Sequence, residues 1–212
     1  MSDCSLYLVS PPAITLAPFL IDLETALSQG IVKAFQLRLK QAEDSLIIEA
    51  SQHIAPICAK YEVAFILNDR ADLVDSCHAD GVHLGQEDMD PKVARAILGK
   101  ERVIGVSCHA SLDMGFDACE KTADYVAFGA FFPTTSKPAE KIAKWGTPTS
   151  EIIDIWSTNT SIPCVAIGGM TAENCGELVR VGADFIGVIN AVWQNPLGVE
   201  KAVGAFKAVL AG

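Results

Sequence analysis

The chain has 212 residues, half of them hydrophobic, with 26 acidic against 16 basic side chains and a net charge of −10. That length suits one α/β barrel with ample material for a core. The acidic balance leaves no basic stripe to neutralise a nucleic-acid backbone, which excludes that partner, although a few cations in one cleft would still hold a small phosphorylated ligand.

In chain order, Leu6–Ser10 is the first strand-like run, and Pro11–Pro12 follows it. A helix fits near Ile21–Gln29 and ends at Gly30. Ala34–Arg38 is the second strand. Extended through the stretch Gln36–Lys40, a period of two puts Gln36, Arg38 and Lys40 on one side and Leu37 and Leu39 on the other. Two cations on a strand that otherwise reads as buried need anionic company. An ordinary ion-pair network and a bound anion both answer that need.

Residues 45–60 read as a long amphipathic helix that Pro56 should bend or cut short. Val63–Leu67 is the third strand and runs into Asn68-Asp69-Arg70. Asp69 reads as the N-cap of a helix at 70–77 or as a carboxylate for a divalent cation. Gly81–Leu84 is the fourth strand, with Asp88 in the loop beyond it. His83, inside this strand, reads as a hydrogen-bonded core residue. No second histidine stands at metal-ligand spacing, so zinc is not expected. Magnesium takes one or two protein carboxylates, and Asp69 and Asp88 sit on loops that adjacent barrel strands would bring together.

A helix at 91–99 leads to the fifth strand, Val103–Val106, which ends in Ser107-Cys108-His109. Ser107 reads as a donor to phosphate or as a cap for the helix at 111–121. Cys108 and His109 face opposite ways if the strand continues, which argues against a Cys–His nucleophilic pair. Tyr125–Phe128 is the sixth strand, and Thr134-Thr135-Ser136-Lys137 after it clusters three hydroxyls and a cation. A helix at 149–157 precedes the seventh strand, Cys164–Ile167, which ends in Gly168-Gly169, a pair whose backbone can approach a ligand closely. A helix at 172–181, an eighth strand Phe185–Val188 leading to Ile189-Asn190, and a helix at 198–210 complete the chain.

Eight short apolar strands, each followed by a helix-length segment, predict a parallel sheet covered on both faces, and eight such units predict a (β/α)8 TIM barrel, one domain over residues 1–212. An open doubly wound sheet would want a glycine-rich turn after the first strand, where Pro11–Pro12 stands. In a barrel the chemistry belongs at the carboxyl ends of the strands, with phosphate held after strands seven and eight. The seven cysteines include no C-x-x-C and read as reduced, mostly buried small hydrophobes of a cytoplasmic protein. No signal peptide is expected, and no apolar run approaches a membrane span, so no membrane partner is expected either.

The chain resembles the thiamine phosphate synthase (thiamine phosphate pyrophosphorylase) family over nearly its whole length. The resemblance rests on Gln36-Leu-Arg-x-Lys40, Asn68-Asp69-Arg70, the run Ala79 through Asp88, Gly105-Val-Ser107, Phe132-Pro-Thr-x-Ser-Lys137 and Ala166-Ile-Gly-Gly169, in that order. It implies a barrel transferase of thiamine biosynthesis. Such an enzyme condenses 4-amino-5-hydroxymethyl-2-methylpyrimidine diphosphate with hydroxyethylthiazole phosphate and releases thiamine phosphate and pyrophosphate. By this resemblance Gln36, Leu37, Arg38, Leu39, Lys40, Asn68, Ser107 and Lys137 hold the pyrimidine diphosphate, with Arg38, Lys40, Ser107 and Lys137 catalytic. Asp69 and Asp88 hold Mg²⁺. Thr134, Thr135, Ser136, Gly169, Ile189 and Asn190 hold the thiazole phosphate. Leu39 replaces a common glutamate, Ser136 a threonine and Asn190 a serine. A related thiazole tautomerase would not need the two aspartates. A sugar-phosphate isomerase or epimerase would want an acid–base pair, and a non-catalytic paralogue would bind thiamine phosphates only. The partners implied are phosphorylated small molecules, and a homo-oligomer is left open.

Overall fold

The computed structural model describes residues 4–135 and 143–210. Eight parallel strands close into a barrel in chain order, the last pairing with the first. They are β1 Ser5–Val9, β2 Val32–Leu37, β3 Ala64–Asn68, β4 Gly81–Leu84, β5 Val103–His109, β6 Tyr125–Phe128, β7 Cys164–Ile167 and β8 Phe185–Val188. Around them run α1 Leu16–Leu27, α2 Asp44–Lys60, α3 Pro91–Leu98, α4 Leu112–Glu120, α5 Ser150–Asn159, α6 Gly176–Arg180, α7 Asn190–Trp193 and α8 Val199–Leu210. The eight-stranded barrel expected from the sequence is therefore present. No helix among the described residues is long and apolar enough to cross a membrane.

The period of two divides the strands between two cores. Leu6 and Leu8, like Val126 and Phe128, join the large cluster between sheet and helices. Tyr7, Val9, Tyr125, Ala127 and Val165 turn inward and fill the barrel axis. At the amino-terminal end the dipeptide Ala-Asp recurs before β4, β6 and β8. Each aspartate accepts a backbone N–H from the preceding strand: Asp80 from Phe65 at 2.7 Å, Asp124 from Ile104 at 2.7 Å and Asp184 from Cys164 at 2.8 Å. These bonds satisfy strand-end donors that would otherwise have no sheet partner.

Several elements differ from the sequence reading, among them α1, which starts at Leu16 and not near Ile21, and β2, which ends at Leu37 and not at Arg38. No α-helix spans 70–77; that stretch holds a 3-10 turn, Ala71–Leu73, because residues 69–80 must make the whole crossover from β3 to β4. Pro56 lies inside α2 without ending it. The carbonyl it leaves without an N–H partner belongs to Gln52, on the exposed face, where water can satisfy it. The helix expected at 172–181 is reduced to α6, since Asn174 ties down the preceding turn by accepting from the Thr171 N–H at 2.9 Å. β5 runs on to His109 through an irregularity between Ser107 and His109.

Trp156 of α5 is fully buried, stands edge-on to Phe128 with ring centroids 5.3 Å apart, and donates its indole N–H to the Ile162 carbonyl at 2.8 Å. Trp156→Ala is expected to lower unfolding free energy by about 3–5 kcal/mol in a urea titration, the cost of emptying a large aromatic site.

Candidate active site at the carboxyl ends of the strands

A cavity of about 680 Å³ opens at the carboxyl ends of the strands, and every strand or the loop after it contributes to its lining. Its walls are mostly apolar, with polar groups on two sides, as small-molecule sites commonly are.

One side carries the charges. Gln36 and Arg38 line the cavity, but β2 ends at Leu37, so Lys40 does not continue a strand face. Lys40 is exposed outside the lining, and its N–H is held by the Pro12 carbonyl at 3.2 Å. Leu37 is buried in the outer core and Leu39 packs against that core, so both point away from the cavity. Gln36 donates its amide to Asn68 Oδ1 at 3.0 Å, and Asn68 in turn bonds the Asp69 carboxylate. Asp69 adopts a left-handed φ of +65°, which aspartate tolerates better than most side chains. Its N–H donates to the His83 carbonyl at 2.9 Å, so Asp69 does not cap a helix. The next residue, Arg70, turns outward and is gripped by Asp44 and Asp72.

Asp88 reaches the same place from the β4 loop. It accepts the Gly85 N–H at 2.7 Å, and a Cβ at Gly85 would fall 2.7 Å from that oxygen, so any larger residue there would make the Asp88 carboxylate shift. The Asp69 and Asp88 carboxyls lie against each other. Asp69 does not line the cavity itself, and although it keeps much of its surface open to solvent, its carboxyl is pushed up to about 6 by burial first and by Asp88 next. Arg38 lies near enough to oppose that rise. Its own guanidinium is drawn below its ordinary value by burial, against the pull of Asp69. Among the described residues no group of three His, Cys, Asp or Glu gathers. A pair of hard carboxylates fits a divalent ion that keeps water and phosphate oxygens in its remaining positions.

The opposite side is neutral. Thr134, Thr135, Gly169, Ile189 and Asn190 line it, and Asn190 donates to Thr135 Oγ1 at 3.3 Å. Gly168 and Gly169 have φ of +105° and +63°, and a Cβ there would meet Ala130 Cβ at 2.3 Å and the Pro133 carbonyl at 2.5 Å. Asn174 fixes the turn by donating to the Gly169 carbonyl at 2.9 Å. Ser136 and Lys137 lie outside the described residues.

The floor holds residues that sequence reasoning missed. Tyr7 and Tyr125 line the cavity, and His83, read as a core residue, is buried and hydrogen-bonded yet also faces it. Thr171 and Gln194 add further polar atoms. Two tyrosines at inward positions of mostly apolar strands were the available signal, because a buried phenol needs a partner. Ser107 faces the cavity and does not cap α4; Ser111 does, accepting from the Met114 N–H at 3.2 Å. Cys108 is buried on the outer side with its thiol pushed up to about 12 by that burial, which removes it as a nucleophile.

A carboxyl that titrates higher in the folded chain than in the unfolded one contributes stability at low pH that is lost as pH rises, here between about 4 and 6. Asp69→Asn removes that loss, although solvent at the open mouth trims it. The variant without metal is expected to melt roughly 2–4 °C higher than wild type at pH 7.5, and equally at pH 4. Magnesium should raise the melting temperature of wild type and not of the variant, as read by differential scanning calorimetry.

The family model described as Thiamine monophosphate synthase matches residues 6–192. A curated relative, the Thiamine-phosphate synthase of Rhodospirillum centenum, is 45% identical over 212 residues, covering 100% of both chains. That of Erythrobacter litoralis is 45% identical over 209 residues, covering 97% of this chain and 95% of its own. Among solved structures, a thiamine phosphate pyrophosphorylase from Pyrococcus furiosus superposes with a TM-score of 0.85 at 30% identity, covering 99% of this chain and 96% of the other.

Proposed function

The chain belongs to the thiamine monophosphate synthase family, and on that premise we propose that it is a thiamine phosphate synthase of thiamine biosynthesis. It joins 4-amino-5-hydroxymethyl-2-methylpyrimidine diphosphate to hydroxyethylthiazole phosphate and releases pyrophosphate. The observation that carries the reading is the division of one cavity. Arg38, Asn68 and Ser107 line one side, with Asp69 and Asp88 next to them in the loops after β3 and β4, and neutral donors beside Gly168-Gly169 line the other. A diphosphate with its cation suits the first side and a monophosphate the second.

The bond that breaks joins the pyrimidine methylene carbon to the diphosphate oxygen, and the electron pair leaves with the diphosphate. The positive charge left on carbon is delocalised by the electron-rich aminopyrimidine. The thiazole nitrogen then attacks with its lone pair, so no strong general base is needed, and none is offered by a reactive cysteine. Arg38 and Ser107 meet the departing oxygens, with Lys137 as a further cation of this role. Asp69 and Asp88 would hold Mg²⁺, which when bound supplies Lewis-acid neutralisation of the diphosphate. Tyr7, Tyr125, Val165 and Ile167 supply flat apolar walls for the two rings and keep water from the carbocation.

Incubating the two substrates with Mg²⁺ and assaying pyrophosphate tests the reading; absence of release, with both substrates still bound in calorimetry, would turn it into a binding paralogue. Asp69→Ala, Arg38→Ala and Lys137→Ala are each expected to lower kcat by about 10²–10³ while the circular dichroism spectrum is unchanged. Near wild-type turnover in all three would reject these roles.

A further inference from the structure

The floor of the cavity holds a continuous chain of hydrogen bonds. Tyr7 Oη lies 2.7 Å from Tyr125 Oη, Tyr125 Oη lies 2.9 Å from His83 Nδ1, and His83 Nε2 lies 2.9 Å from Ser107 Oγ. The four side chains come from β1, β6, β4 and β5, and all face the cavity. Burial pushes both phenols above their ordinary range, so they remain protonated.

Counting protons sets the direction of the chain. Two phenolic protons need two acceptors. The contact between the phenols supplies one, and among the described residues His83 Nδ1 is the other. A proton on Nδ1 would leave one phenolic proton without a side-chain acceptor among the described residues, at the bottom of the cavity where Tyr7 is 3% and Tyr125 7% exposed. Nδ1 therefore accepts, the imidazole is neutral, and its proton sits on Nε2 and donates to Ser107 Oγ. The Ser107 proton is then turned outward into the cavity. The arrangement is held from behind: a Cβ on Gly105 would fall 1.9 Å from Tyr125 Cζ, so the phenol lies directly on the β5 backbone.

We propose that Tyr125, and Tyr7 behind it, are positioning residues. They fix the Nε2–H tautomer of His83, so that Ser107 is presented as a hydrogen-bond donor to the departing diphosphate instead of turning back to donate to the ring. The inference rests on the reading that Ser107 meets that diphosphate.

Two measurements test it. ¹⁵N spectra of the imidazole ring in the wild-type protein without substrate should show His83 as the neutral Nε2–H tautomer, and the Nδ1–H tautomer should appear in Tyr125→Phe. An Nδ1–H or doubly protonated ring in wild type overturns the proposal whatever the enzyme does, which separates its failure from failure of the functional reading. In turnover, Tyr125→Phe is expected to lower kcat about tenfold with KM for the pyrimidine diphosphate within about twofold, the effect of one misdirected donor. In the Ser107→Ala background the same substitution should cost nothing further. An additive loss in the double variant, or full kcat in Tyr125→Phe, rejects the relay and leaves the phenol a packing role only.

Discussion

Two carboxylates pressed together at the mouth of a barrel repel each other, and the chain holds Asp69 and Asp88 in that position nonetheless. Their surroundings fix rather than relieve the contact. Asp88 folds back onto its own loop by accepting the Gly85 N–H, and Asp69, in a left-handed turn after β3, meets it. Arg70, the nearest cation in sequence, is drawn away by Asp44 and Asp72 and does not neutralise the pair. Among the described residues lining the cavity, Arg38 alone brings full positive charge. A cation bound between the two carboxylates, as proposed, would relieve that repulsion.

The opposite wall works by different physics. It has no formal charge among its described residues and depends on backbone approach and hydroxyls. Gly168 and Gly169 sit so close to Ala130 and Pro133 that the β6 and β7 loops touch through the missing side chains. Asn174, by holding both Thr171 and Gly169, replaces a helical turn with a rigid loop at the cost of shortening α6. A phosphate bound there meets oriented dipoles, and one bound opposite meets ions. The two substrates proposed for this enzyme differ in the same sense, the diphosphate carrying the greater charge.

The framework was legible because it is periodic. Gly81–Leu84, Tyr125–Phe128, Cys164–Ile167 and Phe185–Val188 stand where the apolar runs place them, since a strand buried on both faces must be apolar along its length. Reading failed where chain length or solvent overrode pattern. Residues 70–77 look helical, yet the β3–β4 crossover is too short for a helix with its entry and exit. Pro56, expected to bend or shorten its helix, does not shorten it, since its missing bond falls on the wet face of α2. Lys40 looks like part of a strand face, yet the strand has already ended. The loop holding Ser136 and Lys137 is legible in sequence only, lying outside the described residues.

From its sequence alone this chain is a parallel barrel with chemistry at the strand ends and an Asp69, Asp88, Arg38 and Ser107 set spread along it, because alternation and chain order are local properties. Only the closed barrel decides which of those groups meet. It brings Tyr7 beside Tyr125, residues 118 apart, and sets His83 between a phenol and Ser107. Closure imposes a common axis on every second side chain, and no local pattern of residues records which inward neighbour a side chain will find there.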